Sequence, residues 1–100
     1  LVISMTKAEK EHLRKVAELG CIACRKNGFY DTPAEIHHIS NGIIGKRATH
    51  YETIPLCHYH HRTSNEAYHN DPKGFTIKYG TQKELLQETM DLIYGEDQNK

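Results

Sequence analysis

Apolar residues recur at helical spacing near both ends of the chain, and each stretch opens with the same polar signature. Residues 6–9 read Thr-Lys-Ala-Glu and residues 81–84 read Thr-Gln-Lys-Glu. This is the form of a capping box, in which each polar side chain satisfies a free backbone N–H at a helix start. The apolar spacing continues to Gly20 and to Gly95, and glycine suits a helix end. The pattern predicts one helix over about residues 6–19 and another from residue 82 to Gly95.

The middle of the chain predicts shorter elements. Glu35–Ile39 and Thr53–Leu56 are short and flanked by turn residues, so we expect two strands. Pro55 implies that the second strand lies at an edge or has a break in its ladder. The other expected elements are loops at residues 25–33 and 40–50, a helix over residues 58–69 and a short helix over residues 73–79.

Composition limits the function classes. The chain has 100 residues, so we expect one domain over residues 5–95 with flexible tails at 1–4 and 96–100. Its formal net charge is zero. The charge excludes a strongly basic nucleic-acid tail, and no apolar run is long enough to span a membrane. Three cysteines cannot form a complete disulfide framework, and the first residues lack the features of a secretory signal. We therefore expect a cytoplasmic protein.

Two half-sites of the same form predict a metal centre. They are Cys21-x-x-Cys24 and Cys57-x-x-His60. A two-residue gap lets two side chains in a tight turn reach one ion, and three thiolates with one imidazole form a closed tetrahedral zinc site. The choice of His60 over the neighbouring histidines depends on spacing alone. The alternative is a redox-active pair of Cys21 and Cys24, although the thioredoxin-like βαβ context is missing.

A second cluster consists of histidines, since all but one of the eight lie between positions 37 and 69. His37 and His38 are adjacent on a predicted strand, where side chains alternate between faces, so they cannot have the same role. If the next segment is helical, Asn65 shares a face with His61, and His69 lies two helical turns further along. We expect His37, His61 and Asn65 to converge on one Mg²⁺ or Mn²⁺ ion, with His38 beside it. Such an ion neutralises a phosphodiester, and a neutral imidazole can accept a proton from water.

Three segments carry a family resemblance: Cys21–Cys24, Ile36–Ile39 and Ile54–His61. They resemble HNH endonucleases of the ββα-metal superfamily. The wider pattern, which includes Arg47, His50 and residues 75–80, is similar to the phage recombination-enhancement (Ref) proteins, whose known type is a RecA-dependent DNA endonuclease. The resemblance implies a small α+β fold with a zinc-stabilised ββα-metal core, which is a short two-stranded hairpin plus a helix, flanked by N-terminal and C-terminal helices.

The resemblance also implies roles for individual residues. His38 matches the general base that activates water, and His37 and His61 match ligands of the catalytic metal. The middle Asn of the HNH pattern falls at Glu52 in this chain. The residues that could take its orienting role are His50, Asn41 and Asn65, and His69 is a further candidate at the catalytic metal. The positions that match structural zinc ligands are Cys21, Cys24, Cys57 and His60, the last standing where many relatives have Cys.

The charge distribution is weak for a protein that would bind DNA phosphates. Residues 1–62 hold 9 Lys and Arg against 6 Asp and Glu, whereas residues 63–100 hold 4 against 7. Lys46, Arg47 and Arg62 flank the expected site and are the candidate phosphate contacts. Such a weak field predicts that something else brings the DNA. The resemblance implies a RecA-type filament for this role, and the other candidate is a basic segment that is not in this chain.

Three functions remain open at this point. The first is a metal-dependent DNA endonuclease that acts in phage-related recombination with a RecA-type filament. The second is a catalytically weak or inactive zinc-stabilised module of the same fold that binds DNA or a protein. Glu52 and the neutral charge favour the module, whereas retention of His37, His38 and His61 favours the enzyme. The third is a redox protein that uses Cys21 and Cys24.

Overall fold

The structure, a computed structural model, describes residues 5–39 and 49–95. Within these ranges, no helix is both long enough and apolar enough to cross a membrane. The elements in chain order are α1 (Lys7–Glu18), α2 (Ile22–Lys26), β1 (Glu35–His38), β2 (Thr53–Leu56), a π-helical turn (Tyr59–Thr63), α3 (Pro72–Tyr79) and α4 (Gln82–Tyr94). Outside the described residues lie the expected tails, residues 1–4 and 96–100, and three residues singled out above, Asn41, Lys46 and Arg47.

Both predicted capping boxes are present. The hydroxyl of Thr6 accepts from the Glu9 amide at 3.0 Å, and the Glu9 carboxylate accepts from the Thr6 amide at 2.9 Å. Thr81 and Glu84 make the same reciprocal pair, at 3.1 and 2.8 Å. These bonds satisfy backbone donors that a helix start leaves free. The predicted terminal helices are therefore confirmed, and so is the short helix before Gly80.

The two predicted strands form one antiparallel hairpin, with His37 opposite Ile54 and Ile36 opposite Pro55. The Ile39 amide donates to the Glu52 carbonyl at 2.9 Å. Because hydrogen-bonded and non-hydrogen-bonded pairs alternate along the ladder, Pro55 falls at a non-hydrogen-bonded pair, where its missing N–H is not needed. The alternation also buries His37 and leaves His38 exposed.

The loop expected over residues 25–33 begins later than predicted. Cys21 is the N-cap of α2, and its sulfur accepts from the Cys24 amide at 3.4 Å. This cap starts a short helix that includes Arg25 and Lys26, two residues that the sequence placed in the loop.

The prediction of a helix over residues 58–69 is wrong. Only the π-helical turn forms, and the chain then continues in irregular turns as far as Asn70. The amides of Tyr68 and His69 donate to the carbonyls of His60 and His61, at 2.8 and 3.2 Å. These bonds join neighbouring passes of the chain rather than successive helical turns, and they place His69 beside His61.

The hydrophobic core lies between the hairpin and the helices. All four residues of β2 are buried, and this strand contacts α1, α2 and α4. The core includes Ile22, Leu56, Phe75 and Leu85 together with the three cysteines. The predicted fold class is confirmed: a small α+β domain with a two-stranded hairpin, helices at both ends and a cysteine–histidine group at its centre.

Candidate functional site

Cys21, Cys24, Cys57 and His60 form a compact group that could hold a metal ion. Tetrahedral zinc, with Zn–S of about 2.3 Å and Zn–N of about 2.0–2.1 Å, separates two sulfurs by about 3.8 Å and a sulfur from a nitrogen by about 3.6 Å. The Sγ atoms of Cys24 and Cys57 are 3.8 Å apart. Nδ1 of His60 lies 3.6, 3.4 and 3.3 Å from the sulfurs of Cys21, Cys24 and Cys57. The donor set therefore fits one tetrahedral ion.

Three separate elements supply this group. Cys21 is the N-cap of α2 and Cys24 lies in its first turn, Cys57 directly follows β2, and His60 lies in the π-helical turn. The outer nitrogen of His60, Nε2, is 3.1 Å from the hydroxyl of Tyr79, so the ring is held from both sides. Burial raises the pKa of the Cys21 thiol to about 12, and a cation at the centre of the group would stabilise the thiolate instead.

A second group consists of His37, His61 and His69, which each offer one nitrogen within 4.8 Å of the others. Nδ1 of His37 and Nε2 of His61 are 3.1 Å apart. The His69 ring centroid is 4.8 Å from that of His61 and 5.3 Å from that of His37. Two nitrogens bound to one ion at about 2.1 Å would lie about 3.0–3.4 Å apart, so this spacing also fits a metal ion.

The protonation state of these rings supports the same interpretation. The outer nitrogen of His37, Nε2, donates to Oε1 of Gln82 at 2.8 Å, and Nδ1 of His61 donates to Oε1 of Glu35 at 2.7 Å. Burial lowers the pKa of His37, which keeps its ring neutral. The two inner nitrogens, Nδ1 of His37 and Nε2 of His61, point at each other, so a cation between them would bind the lone pairs of both.

Glu35 is the centre of the polar network behind His61. Its second oxygen accepts from Arg62 at 2.9 Å and lies 2.9 Å from Nδ1 of His58. The hydrogen bonds from His61 and Arg62 lower the pKa of Glu35, so the carboxylate is ionised at neutral pH. An ionised carboxylate can only accept, so Nδ1 of His61 is the donor in this bond, and a cation at the site would be bound through Nε2.

His38 lies on the opposite face of β1 from this group. Its Nε2 is 3.0 Å from Nδ1 of His50, which belongs to the turn before β2. Burial, followed by the nearby charge of His50, lowers the pKa of His38 below its ordinary value. The ring is therefore neutral at pH 7 and can accept a proton.

Two other positions that the sequence singled out, Glu52 and Asn65, lie outside the histidine group. Glu52, at the position of the middle Asn, accepts from the Thr49 amide at 3.0 Å and so closes its own turn. Asn65 is exposed and lines a shallow pocket with Phe75 and Tyr79. Because the π-helical turn ends at Thr63, the helical spacing that would place Asn65 on one face with His61 is absent. Arg62, the described candidate for DNA binding, is paired with Glu35.

The sequence reasoning missed the residues that hold the outer nitrogens. Glu35 could have been found, since it lies two residues before His37 and a strand places such positions on one face. Gln82 and Tyr79 carry no local signal, because only the packing of α3 and α4 against the hairpin and π-helical turn brings them to the histidines.

Comparison with known families identifies a match to a family of nucleases. The sequence model described as recombination enhancement, RecA-dependent nuclease matches residues 5–94, which is nearly the whole chain. The match confirms the resemblance to the recombination-enhancement proteins. A search of curated proteins finds no match.

Proposed function

The chain belongs to the family of recombination-enhancement, RecA-dependent nucleases, and from that premise we propose that it is a metal-dependent DNA endonuclease of the HNH type. The observation that carries this proposal is the pair of inner nitrogens of His37 and His61, 3.1 Å apart and each held from behind by an acceptor. This donor arrangement fits a cation, and the site is open to one more group, because His69 is exposed at its edge.

In the proposed reaction, His37, His61 and His69 would hold a Mg²⁺ or Mn²⁺ ion. Bound there, the ion supplies positive charge to the scissile phosphodiester and its leaving oxygen. With the proton of His38 on Nε2 and directed at Nδ1 of His50, Nδ1 of His38 would keep its lone pair. That nitrogen is the general base that takes a proton from the attacking water. We assign to His50 the orienting role of the middle Asn. Glu52 does not take this role, because its carboxylate is bonded within its own turn.

The cysteine-rich group has a different role in this proposal. Three sulfurs and one nitrogen complete a tetrahedral set, so no position is left for water or substrate. We assign it a structural Zn²⁺ that joins α2, the end of β2 and the π-helical turn. The buried position of all four residues supports a structural role, and it also disfavours a redox pair of Cys21 and Cys24.

The experiment is a plasmid-nicking assay with Mg²⁺ or Mn²⁺, with and without a RecA filament on the DNA. His38→Ala should abolish cleavage while zinc content and the circular dichroism spectrum stay unchanged. Lys73→Ala, an exposed substitution in α3, is the surface control and should cleave normally. Cleavage by His38→Ala at the wild-type rate would show that the base is wrongly assigned.

The alternative function is a zinc-stabilised module that binds DNA or protein without cleavage. The observation that favours it is Glu52, which stands at the position of the middle Asn and is bonded within its own turn. The same assay separates the two functions: DNA binding without nicking under every metal and filament condition would support the module and exclude the enzyme.

A further inference from the structure

His12 is a buried histidine that the proposed mechanism does not use. It lies on α1 with 2% of its surface exposed, and Nδ1 is 2.7 Å from the hydroxyl of Tyr94. Nε2 is buried without a hydrogen-bond partner among residues 5–39 and 49–95. A leucine would fill such a position without desolvating a ring nitrogen, so the need for buried volume does not account for an imidazole here.

The ring of His12 lies between two tyrosines from different parts of the fold. It stacks on Tyr94 of α4, with centroids 5.7 Å apart and planes 7° apart. On the other side, the ring of Tyr51 is tilted by 45° at a centroid distance of 4.9 Å. His12 therefore joins α1 and α4 to the turn that precedes β2.

That turn is a closed unit. The Glu52 amide donates to the Thr49 carbonyl at 3.1 Å, and the Thr49 amide donates to the Glu52 carboxylate at 3.0 Å. The Thr53 hydroxyl donates to the carbonyl of His50 at 3.1 Å. A turn closed in this way moves as one piece, so a contact that holds Tyr51 also holds the neighbouring His50.

We propose that His12 is a positioning residue that anchors Tyr51 and thereby fixes His50 beside His38. Its catalytic consequence depends on the proposed function, because His50 faces the general base assigned there. Its structural consequence, a turn held against α1 by a ring pair, does not depend on that function.

The kinetic test compares His12→Ala with Val16→Ala in the full chain, under the nicking conditions given above. Val16 is also completely buried on α1, so its truncation removes packing from the same helix but leaves the ring pair intact. We expect kcat of His12→Ala to fall about ten- to a hundredfold with KM for DNA unchanged, because the base is misplaced while phosphate contacts remain. Equal kcat values for the two variants would overturn the proposal.

A second variant covers the case in which His12→Ala does not fold. Tyr51 is 40% exposed, so Tyr51→Ala should leave the core intact. It should lower kcat as His12→Ala does, and the double variant should be no slower than either single variant, since both remove one contact. Additive losses in the double variant would show that the two residues act independently and would overturn the proposal.

Amide hydrogen exchange tests the anchor without any activity. In His12→Ala or Tyr51→Ala, exchange at the amides of Glu52 and Ile39 should rise about tenfold relative to the amide of Cys24. Val16→Ala should not produce this local difference. Unchanged exchange at Glu52 and Ile39 would overturn the positioning role. If the wild-type protein does not cleave DNA, the proposed function fails, whereas the exchange result still decides this inference.

Discussion

Glu35 connects the candidate cation site to the basic residues beside it. The carboxylate orients His61 through Nδ1 and also engages Arg62. We expect Glu35→Gln to lower the affinity for Mn²⁺ about 10–100-fold, because substituting a residue that orients a metal ligand has an effect of this size. Calorimetric titration with Mn²⁺ measures this directly.

The matched control for that experiment is Glu66→Gln. Glu66 also pairs with a basic residue, Lys78, at 2.9 Å, but it lies outside the histidine group. Its substitution should leave Mn²⁺ affinity unchanged. If Glu35→Gln binds Mn²⁺ as tightly as the wild-type protein, the orientation of His61 does not depend on the carboxylate, and Glu35 has no role at the site.

At the scale of elements, α4 links helix capping to the same site. Thr81 caps this helix, and the next residue, Gln82, accepts from Nε2 of His37. Thr81→Ala and Thr6→Ala each remove one cap and should each lower the free energy of unfolding by about 1 kcal/mol, measured by urea denaturation. Only Thr81→Ala should also weaken Mn²⁺ binding, because α1 supplies no bond to His37. Equal Mn²⁺ affinities in both variants would contradict this link.

Elements that depend on local sequence were predictable. The capping boxes and the apolar spacing predicted α1 and α4, and residues 53–56 form the second strand as expected. The segment after Cys57 was not predictable, because its polar pattern suits a helix while its structure depends on bonds between Tyr68 and His60 across the turn. The spacing of apolar and polar residues within one segment does not reveal such a contact.

The candidate site likewise contains some residues that sequence spacing grouped correctly and others that only the fold brings together. Spacing alone grouped Cys21 and Cys24 with Cys57 and His60, which the structure brings together. His69 lies beside His61, as the sequence predicted. The predicted helix between them is absent, however, so helical spacing does not explain why they are neighbours. The hydrogen bond from His37 to Gln82 joins residues far apart in sequence, and only the packing of α4 against the hairpin creates it.

For the whole molecule, the proposed zinc is a cross-link at the centre of the core. All three cysteines belong to the same buried cluster as Leu56 and Phe75. A small domain buries a limited share of its surface, so removal of the ion should cause cooperative unfolding rather than local loosening. We expect one zinc per chain by elemental analysis and loss of the helical circular dichroism signal on chelation. A stripped protein that keeps its thermal midpoint would exclude this role.

The charge of the whole molecule leads to a prediction about DNA binding. Within the described ranges, Arg14, Lys26, Arg62 and Lys78 pair with carboxylates, and Arg62 is the one that lies beside the histidine group. Phosphates must therefore compete with Glu35 for Arg62. We expect weak binding of naked DNA, with a slope of log K against log salt of about −2 or shallower, which corresponds to about two neutralised phosphates.

The expected weak binding of naked DNA also leads to a prediction about how cleavage depends on the RecA filament. Because the chain has a formal net charge of zero, its own field should add little to the rate of encounter with DNA. A RecA filament that holds the DNA would replace this attraction, so nicking should rise when the filament is present and should follow the salt stability of the filament. The measurement is the nicking rate over a salt series with and without RecA. Tight, salt-resistant cleavage of naked DNA by this chain alone would contradict the prediction, because it would require phosphate contacts stronger than a neutral chain with a paired Arg62 can provide.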